Sequence, residues 1–159
     1  MSRIAYVDGQ YLPHRSAGVH IEDRGYQFAD GVYEVLAVVG GQLVDEGPHL
    51  TRLARSLGEL RIAAPMSEPA LKIVMREVVR RNGVRDGALY MQVTRGAAPR
   101  DHAFPQAAKP VLVVTARRKK PADPSLAADG IGAAIRNSTS ERASRARCGP
   151  SSRRRPPAN

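Results

Sequence analysis

An α+β fold, with helices packed on one face of a largely antiparallel sheet, is what this 159-residue sequence predicts. Three observations lead there. Turn signals at Asp8-Gly9 and Gly40-Gly41 each separate two short strand-like runs, which is the chemistry of a hairpin. Two stretches of helical apolar spacing then follow one another, and two further strand-like runs come after them. Strands therefore bracket a pair of helices, an order that suggests a two-layer α+β sandwich.

Taken in order, residues 3–7 (Arg3-Ile4-Ala5-Tyr6-Val7) alternate as a strand does, and Gln10-Tyr11-Leu12 returns after the turn. Residues 32–39 are rich in β-branched and aromatic side chains and stop at Gly40-Gly41, with Gln42-Leu43-Val44 as the returning strand. Leu50, Leu53, Ala54, Leu57 and Leu60 recur at helical spacing, with arginines on the opposite side. Ser67 stands where an N-cap would, and Pro69 sits in the first turn of a second helix. Leu71, Val74, Met75, Val78 and Val79 line one side of that helix, and Asn82-Gly83 ends it. Residues 88–94 and 110–116 complete the strand set. Arg117-Arg118-Lys119-Lys120-Pro121 reads as a linker. From residue 136 the apolar periodicity disappears into Arg, Ser and Pro, a composition expected to stay disordered because it buries too little to offset chain ordering. The expected division is a folded domain over 1–120, a linker and the start of another domain over 121–135, and a basic tail over 136–159.

Composition narrows the function classes. A 42% hydrophobic content suits a globular protein, and no apolar run reaches the roughly 20 residues of a membrane span. The amino terminus has no signal-peptide core, and Cys148 is the single cysteine, so no internal disulfide forms; both fit a cytoplasmic protein. The net charge of +10 is concentrated: residues 117–159 carry +8 and residues 1–116 only +2. No aromatic residue accompanies the arginines of the tail, so the stacking half of single-strand recognition is missing. A specific nucleic-acid function is not expected. A basic protein adhering to polyanions through its tail is the non-enzymatic alternative.

Among polar residues, Arg100 and His102 form the sharpest pair. Extended along a strand, both would face one side with Asp101 on the other, offering a guanidinium fork and an imidazole to a carboxylate. A solvated Arg-x-His in a loop between Pro99 and Pro105 fits the same spacing. Tyr33 and Val35 face one side of their strand and Glu34 the other; the tyrosine fits a half-buried packing role as well as a site role. Arg52 fits an outer helix face, and His49 a helix start. His14, His20, His49 and His102 show no metal-ligand spacing, so no metal is expected. There is no phosphate-binding glycine loop and no nucleophile elbow.

Three segments read together carry a resemblance. Glu22-Asp23-Arg24-Gly25-Tyr26-Gln27-Phe28-Ala29-Asp30-Gly31-Val32-Tyr33-Glu34-Val35 comes first, then His49-Leu50-Thr51-Arg52-Leu53. Gln92-Val93-Thr94-Arg95-Gly96 with Pro99-Arg100-Asp101-His102 is the third. In order and spacing, over residues 3–135, they resemble the class IV aminotransferases, pyridoxal-phosphate enzymes of fold type IV, and within them the D-amino-acid (D-alanine) branch. The resemblance implies the N-terminal two-layer domain of that fold. It implies that Arg52 binds the phosphate of pyridoxal 5'-phosphate, and that Tyr33, Arg100 and His102 hold the substrate α-carboxylate. The Arg and His are expected to be donated across a homodimer interface, and Val35 to lie near the substrate side chain. The implied reaction moves an amino group between a D-amino acid and a 2-oxo acid. Branched-chain aminotransferase and aminodeoxychorismate lyase are the alternatives within the family, and the Arg-x-His at 100–102 weighs against both.

The same resemblance implies a Schiff-base lysine shortly beyond Ile135, and none of Lys72, Lys109, Lys119 and Lys120 stands in a matching context. No catalytic residue is therefore assigned, and the chain alone is expected to be inactive, to form no internal Schiff base, and to be poorly soluble where a missing second domain would pack. A tail read out of frame from a GC-rich gene would account for the composition break at 136.

Overall fold

In a computed structural model, which describes residues 3–119, the chain forms a six-stranded antiparallel sheet with two long helices on one face. The strands are β1 (Ile4–Val7), β2 (Gln10–Pro13), β3 (Gly31–Val39), β4 (Gln42–Leu43), β5 (Gly87–Thr94) and β6 (Val111–Arg118). The helices are α1 (Arg24–Phe28), α2 (Glu46–Glu59) and α3 (Glu68–Arg81), and the sheet order is β2-β1-β6-β5-β3-β4. Both expected hairpins form, β1 with β2 and β3 with β4, and Gly9, Gly40 and Gly41 take the positive φ values such turns need. The expected segments over 121–135 and 136–159 lie outside the described residues.

Alternation along the strands sorts the side chains. Leu36, Val38, Leu89, Met91, Val93, Leu112, Val114 and Ala116 point to the helix side and are buried. They meet Leu50, Leu53 and Leu57 of α2 and Leu71, Val74, Met75, Val78 and Val79 of α3; Ala54 and Leu60, expected in the α2 stripe, are exposed, Leu60 because it falls just past the helix end. Each buried Leu, Val or Met side chain contributes about 1.5–3 kcal/mol, so this layer holds the domain together. On the opposite side of β3, Tyr33, Val35 and Val39 are exposed.

Four local expectations change. Ser67 has the extended backbone of an N-cap, but its side chain makes no capping hydrogen bond. Arg117 and Arg118 are the last residues of β6, not a linker, because the β5 ladder continues through Ala88 and Gly87 opposite them. Asn82, expected only to end α3, also donates to the Ile4 carbonyl and accepts from the Ile4 amide, both at 2.9 Å, and so acts as a substitute strand partner for β1. Residues 97–110 between β5 and β6 form an irregular loop, so the strand alternation considered for Arg100 and His102 does not occur. Among the described residues no helix is long and apolar enough to cross a membrane.

Candidate functional site

β4 is only two residues long and pairs with Val38 and Val39, so on that side the first part of β3 is an open sheet edge. α2 passes beside this edge. Tyr33, Glu34, Val35, Arg52, Arg55 and Ser56 line the pocket between them. A strand sends neighbours to opposite faces, and at an open edge both sets reach the same space. Tyr33 (66% exposed) and Val35 (45%) stand on the free face, with the Tyr33 ring stacked on Tyr90 at 5.8 Å.

Glu34 falls on the helix side, in a row with Met91, Val114 and Tyr6, where a charge has no polar partner within the sheet. α2 supplies the compensation. Arg52 donates Nε to Glu34 Oε1 at 2.7 Å and Nη2 to Oε2 at 2.6 Å, and His49 Nδ1 lies 2.7 Å from Oε2. His49 and Arg52 are three residues apart and so share one face of the helix. The Glu34 side chain is 4% exposed and that of Arg52 57%, so the guanidinium is gripped from below and open above. The Arg52 hydrogen bond leads the causes that hold the Glu34 carboxyl below its ordinary 4.5; burial opposes it, and His49 adds to the lowering. A lowered folded pKa stabilises the fold above the unfolded value, and that contribution is lost as the pH falls through the folded value. Glu34→Gln is accordingly expected to cost about 1–2 kcal/mol near neutral pH, a charge-assisted pair discounted because Arg52 is half in solvent. The difference from wild type should shrink as the pH drops below 4.5. Urea denaturation at both pH values measures it, and a difference that grows in acid would contradict the pairing.

A second cluster forms where α1 meets the end of β5. Asp23, fully buried, caps α1 by accepting from Gly25 N at 2.8 Å, and its other oxygen accepts from Thr94 Oγ1 at 2.8 Å. Asp30 accepts from Arg24 Nε at 2.8 Å and from Arg95 Nε and Nη2 at 2.7 and 3.0 Å. Arg95 continues to the carbonyls of Leu60 and Arg61 after α2. Burial alone would raise the Asp30 pKa, but the hydrogen bonds from Arg95 and Arg24 together outweigh it and hold the carboxyl below its ordinary 3.8.

The five residues singled out from sequence thus fall in two places. Tyr33, Val35 and Arg52 share the pocket at the β3 edge. Arg100 and His102 are exposed on the 97–110 loop and converge instead on Phe28, the guanidinium 5.4 Å and the imidazole 5.5 Å from its ring centre. Within one chain the structure does not unite the two groups. Glu34, Asp30 and Arg24 are the members that sequence reasoning missed. A signal for Glu34 was present: an acid at a core-facing position of an apolar strand needs a cationic partner.

The donor set at the β3 edge suits a phosphate. Arg52 and Arg55 bring two guanidiniums and Ser56 a hydroxyl to one pocket, and Arg52 Nη1 is not committed to Glu34. Among the described residues, no lysine lines that pocket; Lys72 pairs with Glu68 and Lys109 with Asp8.

Comparison with known proteins gives the same picture from outside. The family model for amino-transferase class IV matches residues 31–151. It begins on β3 and runs beyond residue 135, where the resemblance in the sequence was expected to end. A D-alanine aminotransferase from Bacillus licheniformis is 46% identical over 97 residues, covering 61% of this chain and 34% of that protein. One from Staphylococcus haemolyticus is 36% identical over 113 residues, covering 70% and 40%. The chain therefore spans about a third to two fifths of the length of the curated relatives it matches. Among solved structures, 4-amino-4-deoxychorismate lyase from Pseudomonas aeruginosa superposes with a TM-score of 0.63 at 26% identity, covering 80% of this chain and 44% of that one. Branched-chain amino acid aminotransferase from Escherichia coli has a TM-score of 0.69 at 16% identity, covering 75% and 42%, which speaks for the fold alone. Since the matched span takes in both the strand and the helix that build the pocket, and solved proteins of these names share the fold, the chain belongs to the class IV aminotransferases.

Proposed function

We propose that this chain carries the substrate- and phosphate-gripping part of a D-amino-acid transaminase, which moves an amino group between a D-amino acid and a 2-oxo acid with pyridoxal 5'-phosphate. The observation that carries this reading is the 46% identity over 97 residues to a D-alanine aminotransferase, beside the sequence segments that hold Tyr33, Arg52, Arg100 and His102. When bound, the cofactor supplies a carbonyl that condenses with the amino group and a ring that takes up the electrons of the Cα–H bond. The residues of this chain bind and orient. Arg52, held by Glu34, takes the phosphate, with Arg55 and Ser56 beside it. Tyr33 offers its hydroxyl, and Arg100 and His102 their N–H groups, to the substrate α-carboxylate. Val35, on the same face as Tyr33, borders the space for the substrate side chain. Gripping the carboxylate at three points decides which face of Cα meets the cofactor, and so which enantiomer reacts. Because Arg100 and His102 stand apart from Tyr33 in one chain, the proposal includes a homodimer in which the partner supplies them. No Schiff-base lysine is assigned within residues 3–119.

The test is a chimera in which residues 22–119 replace the corresponding segment of the Bacillus licheniformis enzyme. Transfer from D-alanine to 2-oxoglutarate, with no use of L-leucine, is the expected result. Preference for L-leucine as donor, or consumption of 4-amino-4-deoxychorismate with no amino transfer from D-alanine, would instead favour the branched-chain or lyase chemistry seen in the names of the solved neighbours. In that chimera Arg100→Leu removes one charge-assisted grip worth about 1.5–3 kcal/mol. The expected loss is roughly 10- to 150-fold in kcat/KM for D-alanine.

A further inference from the structure

We propose that Arg24 and Phe28 are positioning residues for Arg100 and His102: Arg24 pins the backbone between them, and the Phe28 ring gathers both side chains at one place. The proposal rests on the reading that those two side chains grip a carboxylate.

Arg24 is 3% exposed, and its guanidinium is fully oriented. Nε donates to Asp30 Oδ2 at 2.8 Å and Nη1 donates to the Asp101 carbonyl at 2.7 Å, across 77 positions of sequence. Asp101 is the residue between Arg100 and His102, so the pinned carbonyl fixes the peptide that leads into His102 and lies one residue from Arg100. This matters because the 97–110 loop has no ladder of its own. Near its start it is tied by the Ala98 amide to the Glu22 carbonyl at 3.3 Å, and further along by Arg24.

Phe28 closes the arrangement. Its ring centre lies 4.7 Å from the Arg24 guanidinium, 5.4 Å from that of Arg100 and 5.5 Å from the His102 ring centre. Two arginines and an imidazole converge there, while Asp30 is taken by Arg24 and Arg95 and the Asp101 carboxylate accepts from the Ala103 amide. Donors crowded in this way repel one another unless something holds them, and an aromatic face is an uncharged surface that attracts guanidinium groups. Phe28 belongs to α1, which is anchored by the buried Asp23–Thr94 hydrogen bond, so the ring itself is fixed. The result is a preorganised pair of donors with no carboxylate already satisfying them, which is what an incoming anion requires.

Lysine at position 24 can keep one bond to Asp30 but lacks the fork needed to reach Asp101 as well. The experiment follows the 159-residue chain by NMR with labelled His and Arg. In Arg24→Lys the ring-current displacement of the His102 protons by Phe28 and the nuclear Overhauser contact between Phe28 and Arg100 should be lost, while the β5 and β6 amide signals stay in place. Retention of both signatures in a folded Arg24→Lys overturns the proposal. Phe28→Leu and Phe28→Tyr provide the second arm, read by amide exchange over 100–103. Exchange should accelerate in the leucine variant and return to the wild-type rate in the tyrosine variant; equal exchange in all three overturns the role of the ring. The underlying reading fails separately, if Arg100→Leu leaves the KM of the chimera for D-alanine unchanged although convergence on Phe28 is intact.

Discussion

Replacing Asp30 with alanine is expected to destabilise the fold by about 3–5 kcal/mol, the range for removing one partner of a buried ion pair. The side chains involved are 4% (Arg24), 8% (Asp30) and 10% (Arg95) exposed, so water cannot take over the lost hydrogen bonds. Two guanidiniums share the one carboxylate, and alanine would leave both facing each other without it. The cluster also joins distant parts of the chain. Arg95 reaches back to the carbonyls after α2, and Arg24 reaches forward to Asp101. The damage should therefore spread to the Arg100–His102 loop and not stay at α1. Because the folded Asp30 pKa is lowered, its contribution is present above the ordinary 3.8 and is lost as the pH falls through the folded value. The gap between wild type and Asp30→Ala should narrow in that acid range. Equilibrium denaturation at neutral and acid pH measures both effects, and a neutral-pH loss below about 1 kcal/mol, typical of an exposed pair, would show that the cluster is not held as described.

The second large effect is expected at Gly96. Its φ is +95°, and a Cβ built there would stand 1.9 Å from the Lys109 carbonyl oxygen. Both ends of the 97–110 loop are thus in backbone contact where the loop leaves the sheet, a closeness that only glycine permits. The Gly96 carbonyl accepts from the Arg24 amide at 2.9 Å, so moving this residue also disturbs the first turn of α1. Gly96→Ala combines a strained backbone, about 1–3 kcal/mol, with overpacking of similar size, for a total of about 2–6 kcal/mol. Thermal unfolding with calorimetry checks the stability, and amide exchange over 97–109 checks that the loop opens first. A neutral substitution would mean that the loop ends are free to separate.

Much of the layout was legible without coordinates. Hairpin turns at Asp8-Gly9 and Gly40-Gly41, two apolar stripes at helical spacing and the alternation that puts Tyr33 opposite Glu34 all arise from contacts within a few residues, and short-range rules describe those well. α1 was not foreseen. It is five residues long, too short to show a period, and its cap is an aspartate that also serves Thr94 on another element. The end of β6 was missed because Arg117 and Arg118 look like linker residues until the β5 ladder is drawn beside them.

Residue types around Tyr33, Arg52 and Arg100 were enough to place the family, and turn signals with apolar spacing were enough for the two-layer α+β arrangement. Those are matters of residue type and local period. The partners of the charges came from packing alone: Glu34 grips Arg52 and His49, Asp30 unites Arg24 with Arg95, and Arg100 meets His102 on Phe28 and not on a strand. The Asp30 and Glu34 pairs join residues 6 to 65 positions apart, and Arg24 reaches Asp101 across 77. A charge in the interior takes whatever counter-charge the packing brings within hydrogen-bond reach, and no local pattern in the chain encodes that choice.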